Sequence, residues 1–198
     1  MRKVSDNKVI YLHENGITIV AKPGAKGAKA GETYELNGKK YYVAINKQAN
    51  MDNLKIGDST NRRIIGNLFD VNLAGWRAVG INEVGSDKVL LWVNLENDRS
   101  NATYDDGFIS GSKIFQWESQ NQQNIDTPVI QSILKKEVEV HLFCRLGNMG
   151  NHTYMGKLKY MKHENNNPVK IFFNSIDYDS DNTNLKKIYN HSPHQNRL

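Results

Sequence analysis

Three segments of strand length follow one another towards the carboxyl end of the chain. They read EVEVHLFCRL at 137–146, TYMGKLKYM at 153–161 and PVKIFFNSI at 168–176. The sequences between them, GNMGNH and HENNN, are rich in glycine and asparagine, which favour turns. Proline is scarce, with 4 residues, and asparagine is abundant throughout. This pattern favours a strand-rich protein over a helical bundle.

Two further strands and one helix stand out upstream. KVLLWVNL at 88–95 is apolar on consecutive positions, which predicts a strand covered on both faces. SKIFQWES at 112–119 alternates as a strand does. DTPVIQSILK at 126–135 combines an acidic N-cap candidate, a proline in the first turn and one apolar face, which together predict a helix. A second, short helix is expected over 67–76.

The fold class that follows is α+β, predominantly β. We expect a small N-terminal β-hairpin module over 1–50, with turn signals at ENG (14–16) and at Asn37-Gly38. A connection over 51–66 precedes an α+β domain over 67–180, which we predict to be a curved or barrel-like sheet with one main helix. Residues 181–198 form a basic tail.

Charge and cysteine content narrow the function classes. The formal net charge is +5, which permits binding to a polyanion without requiring it. The single cysteine, Cys144, excludes an internal disulfide framework and a multi-cysteine zinc site. No signal peptide or membrane-length apolar run appears, so we expect a cytoplasmic protein without a membrane partner. No metal, cofactor or catalytic motif is predicted.

Basic residues are scattered through the first third of the chain. Ordinary solvation explains any one pair of them, but lysines along a glycine-rich loop also suit contacts with phosphates. The candidates for phosphate contact are Lys22, Lys26, Lys29, Lys39, Lys40, Arg62 and Arg63.

The stretch TYDDGFISGSKIFQW, residues 103–117, allows two interpretations. Asp105, Asp106 and Gly107 form a good turn, and Phe115 and Trp117 share one face of an alternating strand, so turn and core is the simpler interpretation. The alternative is an aromatic pocket that accepts a flat ligand. The residues alone leave both open.

Seven landmarks in order resemble a known family. KVLLWVNL, TYDDGF, IFQWESQ, DTPVIQSI, VEVHLFCR, HTYMGKL and PVKIFF occur between residues 67 and 178. This region resembles the C-terminal domain of unknown function of bacterial phospholipase-D-nuclease and DEAD-type helicase fusions, a class that includes modification-dependent restriction enzymes. The resemblance implies a DNA target-recognition module, similar to the SET-and-RING-associated (SRA) fold that reads modified cytosine.

The resemblance also implies a site. Such readers extrude a base, stack it on aromatic rings and bind its edge with polar groups. Carried over to this chain, the base-pocket candidates are Tyr104, Asp105, Asp106, Phe108, Phe115 and Trp117. The chain departs from the family at Glu118-Ser119-Gln120-Asn121, where the family often carries a serine-arginine pair. Residues 7–45 are similar to the stretch that precedes the repeats in BspA-like surface proteins.

Three functions follow as hypotheses. The first is a DNA-binding recognition module of the restriction or phage-defence kind, which reads a modified base in double-stranded DNA and works with a separate nuclease or helicase. The second is a protein-interaction or structural module without DNA binding. The third is a stand-alone metal-dependent endonuclease, for which Glu137 and Glu139 would be the acidic residues.

Overall fold

A computed structural model describes residues 33–36, 39–42, 51, 54–69, 71–75, 79–96, 104–120 and 122–191. The chain divides into two units, residues 1–54 with 61–78 and residues 55–60 with 79–198. No helix among the described residues is long and apolar enough to cross a membrane. The domain boundaries expected from the sequence stay a prediction.

The first unit contains a hairpin and a short helix. Strands β1 (Thr33–Leu36) and β2 (Lys39–Tyr42) pair antiparallel with Leu36 opposite Lys39, which confirms the hairpin predicted around Asn37-Gly38. The hairpin predicted around 14–16 lies outside the described residues. Helix α1 runs over Arg62–Leu68.

The helix expected at 67–76 is wrong, because the helix begins five residues earlier. The side chain of Asn61 accepts hydrogen bonds from the backbone N–H groups of Arg63 and Ile64, both at 3.1 Å, and thereby caps α1. The chain then turns back, and the N–H of Val71 donates to the carbonyl of Gly66 at 2.8 Å. A Cβ at Gly66 would collide with the carbonyl oxygen of Val71, so this close approach needs glycine.

The second unit is built on one mixed sheet. Its strands are β3 (Ser59–Thr60), β4 (Ile81–Val84), β5 (Lys88–Asn94), β6 (Gly107–Phe108), β7 (Ile114–Glu118), β8 (Glu139–Arg145), β9 (His152–Glu164) and β10 (Lys170–Ser175). Its helices are α2 (Pro128–Leu134) and α3 (Lys186–Tyr189).

The strands follow the order β4-β5-β8-β9-β10-β7-β6, and β3 pairs with β9 beside this path. The β5–β8 pair is parallel and the other pairs are antiparallel. The described strands leave the sheet open rather than closed into a barrel. The predicted fold class, α+β and predominantly β, is confirmed.

One face of the sheet carries the core. Apolar side chains at alternate positions of β5, β7, β8 and β10 join α2 and α3 in a single cluster. Phe115, Trp117 and Phe173 are among its members, with at most 2% of each residue exposed. Because successive residues of a strand point to opposite faces, the residues between these core positions lie on the other face of the sheet.

The intervening residues form the second face of the sheet, which is rich in polar and aromatic side chains. The strand registers place these residues on it: Leu90 and Trp92 of β5, His141 and Phe143 of β8, Tyr154, Lys157, Lys159 and Lys162 of β9, Lys170, Phe172 and Asn174 of β10, and Gln116 and Glu118 of β7. Ring contacts agree with this placement, since Trp92 stacks on Phe143 with centroids 4.3 Å apart. The Lys162 ammonium lies 4.5 Å from the Phe172 ring centroid.

Candidate nucleic-acid interface

Three of the aromatic candidates lie in the core. Phe108 and Phe115 have no exposed surface, and Trp117 is 2% exposed. The Phe108 ring meets the Phe115 ring edge-on with centroids 5.0 Å apart, and it meets the Tyr189 ring at 4.9 Å. A base would reach these rings only if the core opened. Their assignment to a base pocket stays a prediction.

Tyr104 differs from these three, because the residue is half-buried rather than buried. It directly precedes Asp105 and Asp106, which lead into β6. Of the four aromatic candidates, Tyr104 therefore has a surface that a ligand can contact without rearrangement of the core.

The polar residues of β7 hold the segment that carries Asp105. Gln116 lies between Phe115 and Trp117 in sequence, so it points to the second face. Its side-chain amide donates to the backbone carbonyl of Asp105 at 2.6 Å and to Asp105 Oδ2 at 3.1 Å. Both Gln116 and Asp105 are buried, at 7% and 6% exposed. Buried hydrogen bonds of this kind fix the position of the loop.

Glu118 completes the attachment by a reciprocal pair of hydrogen bonds. The backbone N–H of Glu118 donates to Asp106 Oδ1 at 2.7 Å. In return, the backbone N–H of Asp105 donates to Glu118 Oε2 at 3.2 Å. The three carboxyl groups are therefore fixed around one end of β7.

One cation lies among these carboxyl groups. Lys170 pairs with Glu118 across the β10–β7 register, and its Nζ lies 3.1 Å from Glu118 Oε1. The same Nζ lies 3.7 Å from Asp105 Oδ2. Within the described residues, Lys170 makes no ion pair with Asp106. We call Asp105, Asp106, Gln116, Glu118 and Lys170 the carboxylate cluster.

Asp106 has an unusual acidity in this setting. Burial raises the pKa of its carboxyl to about 8, and the nearby charges of Glu118 and Asp105 act in the same direction. The hydrogen bond from the Glu118 N–H and the charge of Lys170 oppose this change but do not outweigh it. Asp106 is thus largely protonated at neutral pH, and the residue as a whole is half-buried.

Sequence reasoning missed Gln116, Glu118 and Lys170. The signal for the first two was present, because the alternation that places Phe115 and Trp117 together also places Gln116 and Glu118 on the opposite face. Lys170 had no local signal, since its position opposite Glu118 depends on a strand register between distant segments.

The candidates for phosphate contact are not all within the described residues. Lys22, Lys26 and Lys29 lie outside them, while Lys39 and Lys40 begin β2. Arg62 and Arg63 begin α1 in the first unit. The second face of the sheet adds two exposed lysines that the sequence did not single out, Lys159 and Lys162.

A second polar group occupies the same face at β8 and β9. His141 has no exposed surface; its Nδ1 lies 2.9 Å from the Tyr154 hydroxyl and its Nε2 lies 2.8 Å from Glu139 Oε1. The Lys157 ammonium donates to Glu139 Oε2 at 2.6 Å. A carboxylate only accepts, so Nε2–H donates to Glu139 and Nδ1 accepts from Tyr154.

The environment keeps His141 neutral. Burial lowers its pKa, and the hydrogen bond with Glu139, which acts in the opposite direction, does not offset it. Partial burial alone would raise the pKa of Glu139, but the hydrogen bonds from Lys157 and His141 lower it. Glu139, one of two acidic residues of the nuclease hypothesis, is thus occupied by Lys157 and His141, and Glu137 is exposed just before β8. Among the described residues, no group of three or more side chains has an arrangement that could hold a metal ion.

Some solved structures are similar to this one at low identity. The DNA modification-dependent restriction endonuclease AspBHI is 14% identical over 60% of this chain and 71% of that chain, with a TM-score of 0.39. A SUVH5 SRA chain in complex with fully methylated CG DNA is 16% identical over 66% and 94%, with a TM-score of 0.40. A SUVH5 SRA chain with hemimethylated CG DNA is 16% identical over 61% and 86%, with a TM-score of 0.36. The comparison with curated proteins found no match.

A protein family matches most of the second unit and part of the first. The matched residues are 65–186, and the family is described as "Domain of unknown function (DUF3427)". This range includes all seven landmarks between 67 and 178, so the resemblance to a C-terminal domain of unknown function is confirmed. The chain belongs to the DUF3427 family.

Proposed function

We propose that this protein is a DNA-binding recognition module that reads a modified base at the carboxylate cluster. The observation that carries the proposal is the attachment of Asp106. Its Oδ1 accepts from the Glu118 N–H at 2.7 Å, while its Oδ2 has no hydrogen-bond partner among the described residues. A carboxyl group with one oxygen held by the protein and the other oxygen available is suited to bind the polar edge of a ligand.

A neighbouring residue supplies the aromatic ring that a base reader also needs. A base taken out of the duplex is held by stacking and by hydrogen bonds to its edge. Tyr104 is partly exposed and adjoins the carboxylate cluster in sequence, so in this proposal it provides the stacking ring. Asp105 and Gln116 do not contact the base in this proposal. Their buried hydrogen bonds hold the loop that carries Asp106 in place.

Lysines on the second face supply contacts to phosphates. Lys159 and Lys162 are exposed, and the net charge of +5 favours a polyanionic partner. Lys162 pairs with Glu164 at 2.6 Å, but both side chains are largely exposed. Exposed ion pairs of this kind contribute little, so Lys162 can exchange Glu164 for a phosphate at small cost.

The setting of restriction or phage defence, and a separate nuclease or helicase partner, enter the proposal through the sequence resemblance to domains of helicase–nuclease fusions. A cytoplasmic location also belongs to this proposal. None of these three statements, on the biological setting, the partner and the location, assigns a chemical reaction to this chain.

The test is a fluorescence anisotropy titration with short labelled duplexes, either unmodified or carrying 5-methylcytosine or 5-hydroxymethylcytosine. Titrations at about 50 mM and about 200 mM salt separate phosphate contacts from base contacts. We expect tighter binding to one modified duplex, and weaker binding to all duplexes at higher salt.

Two variants separate the proposed roles. Asp106→Ala should weaken binding to the preferred duplex by about 5- to 100-fold, because a contact to a base edge contributes about 1–3 kcal/mol, and it should leave the salt slope unchanged. The double variant Lys159→Ala/Lys162→Ala should weaken binding to all duplexes and flatten the salt slope. Failure to bind any duplex at low salt contradicts the proposal; a stable protein partner in a pull-down would then favour the protein-interaction hypothesis.

A further inference from the structure

The carboxylate cluster contains three carboxyl groups and one cation. Lys170 lies within ion-pair distance of Glu118 and Asp105, at 3.1 and 3.7 Å. Asp106 is the carboxyl group that this lysine does not reach within the described residues. A third negative charge beside two others would be disfavoured in so confined a place, so a proton is the simplest compensation for Asp106.

We infer that Asp106 meets its base as a neutral carboxylic acid and donates a hydrogen bond from Oδ2, an inference that rests on the proposed function. The ligand is then a base that offers an unprotonated acceptor at this position, such as N3 of cytosine. An ionised carboxylate would instead only accept, and would select an exocyclic amino group.

The hydrogen bonds determine which oxygen carries the proton. Asp106 Oδ1 accepts from the Glu118 backbone N–H at 2.7 Å, so this oxygen must keep a lone pair directed at the nitrogen. The proton therefore resides on Oδ2. The result is a donor on a carboxyl group whose other oxygen is fixed by the backbone of β7.

The surrounding charges support the neutral form. Those that act on Asp106 are Glu118 of β7, Asp105 of its own loop and Lys170 of β10, and burial has the largest effect on its pKa of about 8. The buried Cys144 thiol of β8 is also within electrostatic reach, and burial followed by the charge of Asp106 raises its pKa well above the usual value. Cys144 therefore stays neutral and adds no charge to the cluster.

The experiment compares three proteins on one duplex that carries a single 5-methylcytosine. Asp106→Asn retains an oxygen for the Glu118 N–H and presents an N–H donor at every pH, so it imitates the protonated acid. Asp106→Ala has neither group. Affinity is measured by anisotropy between about pH 6.5 and pH 9.5, which brackets the pKa of about 8.

We expect the affinity of the wild-type protein to fall about tenfold across this range relative to Asp106→Asn, which is the loss of one hydrogen bond of ordinary strength. Asp106→Ala should bind weakly throughout. If Asp106→Asn binds as weakly as Asp106→Ala, or if the wild-type curve runs parallel to the Asp106→Asn curve, the inference is overturned.

A second measurement separates this inference from the proposed function. Carbon-13 NMR of the DNA-free protein follows the Asp106 carboxyl directly, with Asp106→Asn used to assign the signal. A midpoint near 8 is expected. A midpoint near the ordinary value of 3.8 overturns the inference even where DNA binds. Titration near 8 without DNA binding by any of the three proteins overturns the proposed function, and with it the role of Asp106 in reading a base.

Discussion

Glu118 and Asp106 are joined by a 2.7 Å hydrogen bond from the Glu118 backbone N–H to Asp106 Oδ1. The bond connects the end of β7 to the residue before β6, beside a strand pair in which Gly107 lies opposite Gln116. A carboxyl group at this point has a structural role in addition to any role in binding. Its protonation should therefore affect the stability of the protein as well as its affinity for a ligand.

The first prediction concerns the effect of Asp106 on stability at alkaline pH. The pKa of Asp106 is raised in the folded state from 3.8 to about 8, so the folded protein binds the proton more tightly than the unfolded chain. The associated stability is fully present below 3.8 and is lost as pH rises through 8. Urea denaturation should therefore give a midpoint that falls between pH 7 and pH 9 in the wild type, and falls less in Asp106→Asn. Equal slopes for the two proteins would contradict the assigned pKa.

A second prediction compares two lysines on the same face of the sheet. Lys170 is 21% exposed and contacts two poorly exposed carboxyl groups. Lys170→Met should lower the free energy of unfolding by about 1–3 kcal/mol, because it leaves poorly exposed carboxyl groups without their partner. The matched control is Lys162→Met, whose ion pair with Glu164 is exposed and should contribute little. A larger loss in the control, measured by urea denaturation, would show that the carboxylate cluster does not depend on Lys170.

The third prediction concerns two glycines with nearly the same positive φ angle. Gly156 has φ +92°, and a Cβ there would lie 2.6 Å from Asp177 Oδ2. Gly57 has φ +93° with nothing within 4 Å of the Cβ position. Gly57→Ala should cost about 1–3 kcal/mol of backbone strain, and Gly156→Ala should cost more because Asp177 must also move. Comparable urea midpoints for the two variants would mean that Asp177 yields freely.

The Gly156 contact is also held by a hydrogen bond. The N–H of Lys157 donates to Asp177 Oδ2 at 2.8 Å, so movement of Asp177 would break this bond. The extra cost of Gly156→Ala thus has two sources, the displaced side chain and the lost acceptor.

A fourth prediction follows from the buried His141. Its pKa is lowered from 6.5 in the folded state, so the unfolded chain takes up the proton first as pH falls. The stability is present above 6.5 and is lost below it. The urea midpoint of the wild type should fall from pH 7 to pH 5, and His141→Gln should show a flatter dependence over the same range. The other histidines contribute equally to both curves, so an unchanged difference between them would exclude His141 as the cause.

The fifth prediction concerns Trp117, which is both a core residue and a base-pocket candidate. Its contribution to stability and its contribution to binding need different variants. Trp117→Ala should cost about 3–5 kcal/mol, because the side chain is 2% exposed in the core. Ile109→Ala serves as the control, since Ile109 is 41% exposed and its loss should have a small effect on the urea midpoint. Trp117→Phe is the variant for DNA titrations. A selective loss of preference for the modified duplex in a stably folded Trp117→Phe would support a direct role of this ring.

The sequence was sufficient for the main helix and for β5 of the second unit, whereas α3 (Lys186–Tyr189) lies within the segment expected to be a basic tail. The helix predicted at 126–135 is observed at Pro128–Leu134, and the segment predicted to be covered on both faces is β5, whose residues from Val89 to Val93 are buried. These elements have strong local signals, namely one apolar helix face and a continuous apolar run. The short helix was misplaced because its cap, Asn61, lies in a polar stretch that resembled a connection.

The arrangement of the strands could not be obtained in this way. Strand pairing depends on contacts between distant segments, as in the β5–β8 and β7–β10 pairs, and a sequence pattern of period two is the same for every pairing. The residues of the candidate site also fall into two groups, those that the sequence indicated and those that only the strand pairing shows. Asp105 and Asp106 became candidates through the resemblance of one continuous motif, TYDDGF, to a known family, whereas Lys170 enters the site only through the β7–β10 register.

That register has a consequence for synthesis of the protein. Lys170 and Glu118 come together only when β10 has paired with β7, and the chain between them includes α2, β8 and β9. Ribosomes release residues in order, so β6 and β7 emerge long before their partner strand. The nascent chain therefore cannot assemble the carboxylate cluster before β10 has been made, and any ligand that depends on this cluster will select polypeptides whose translation has passed β10.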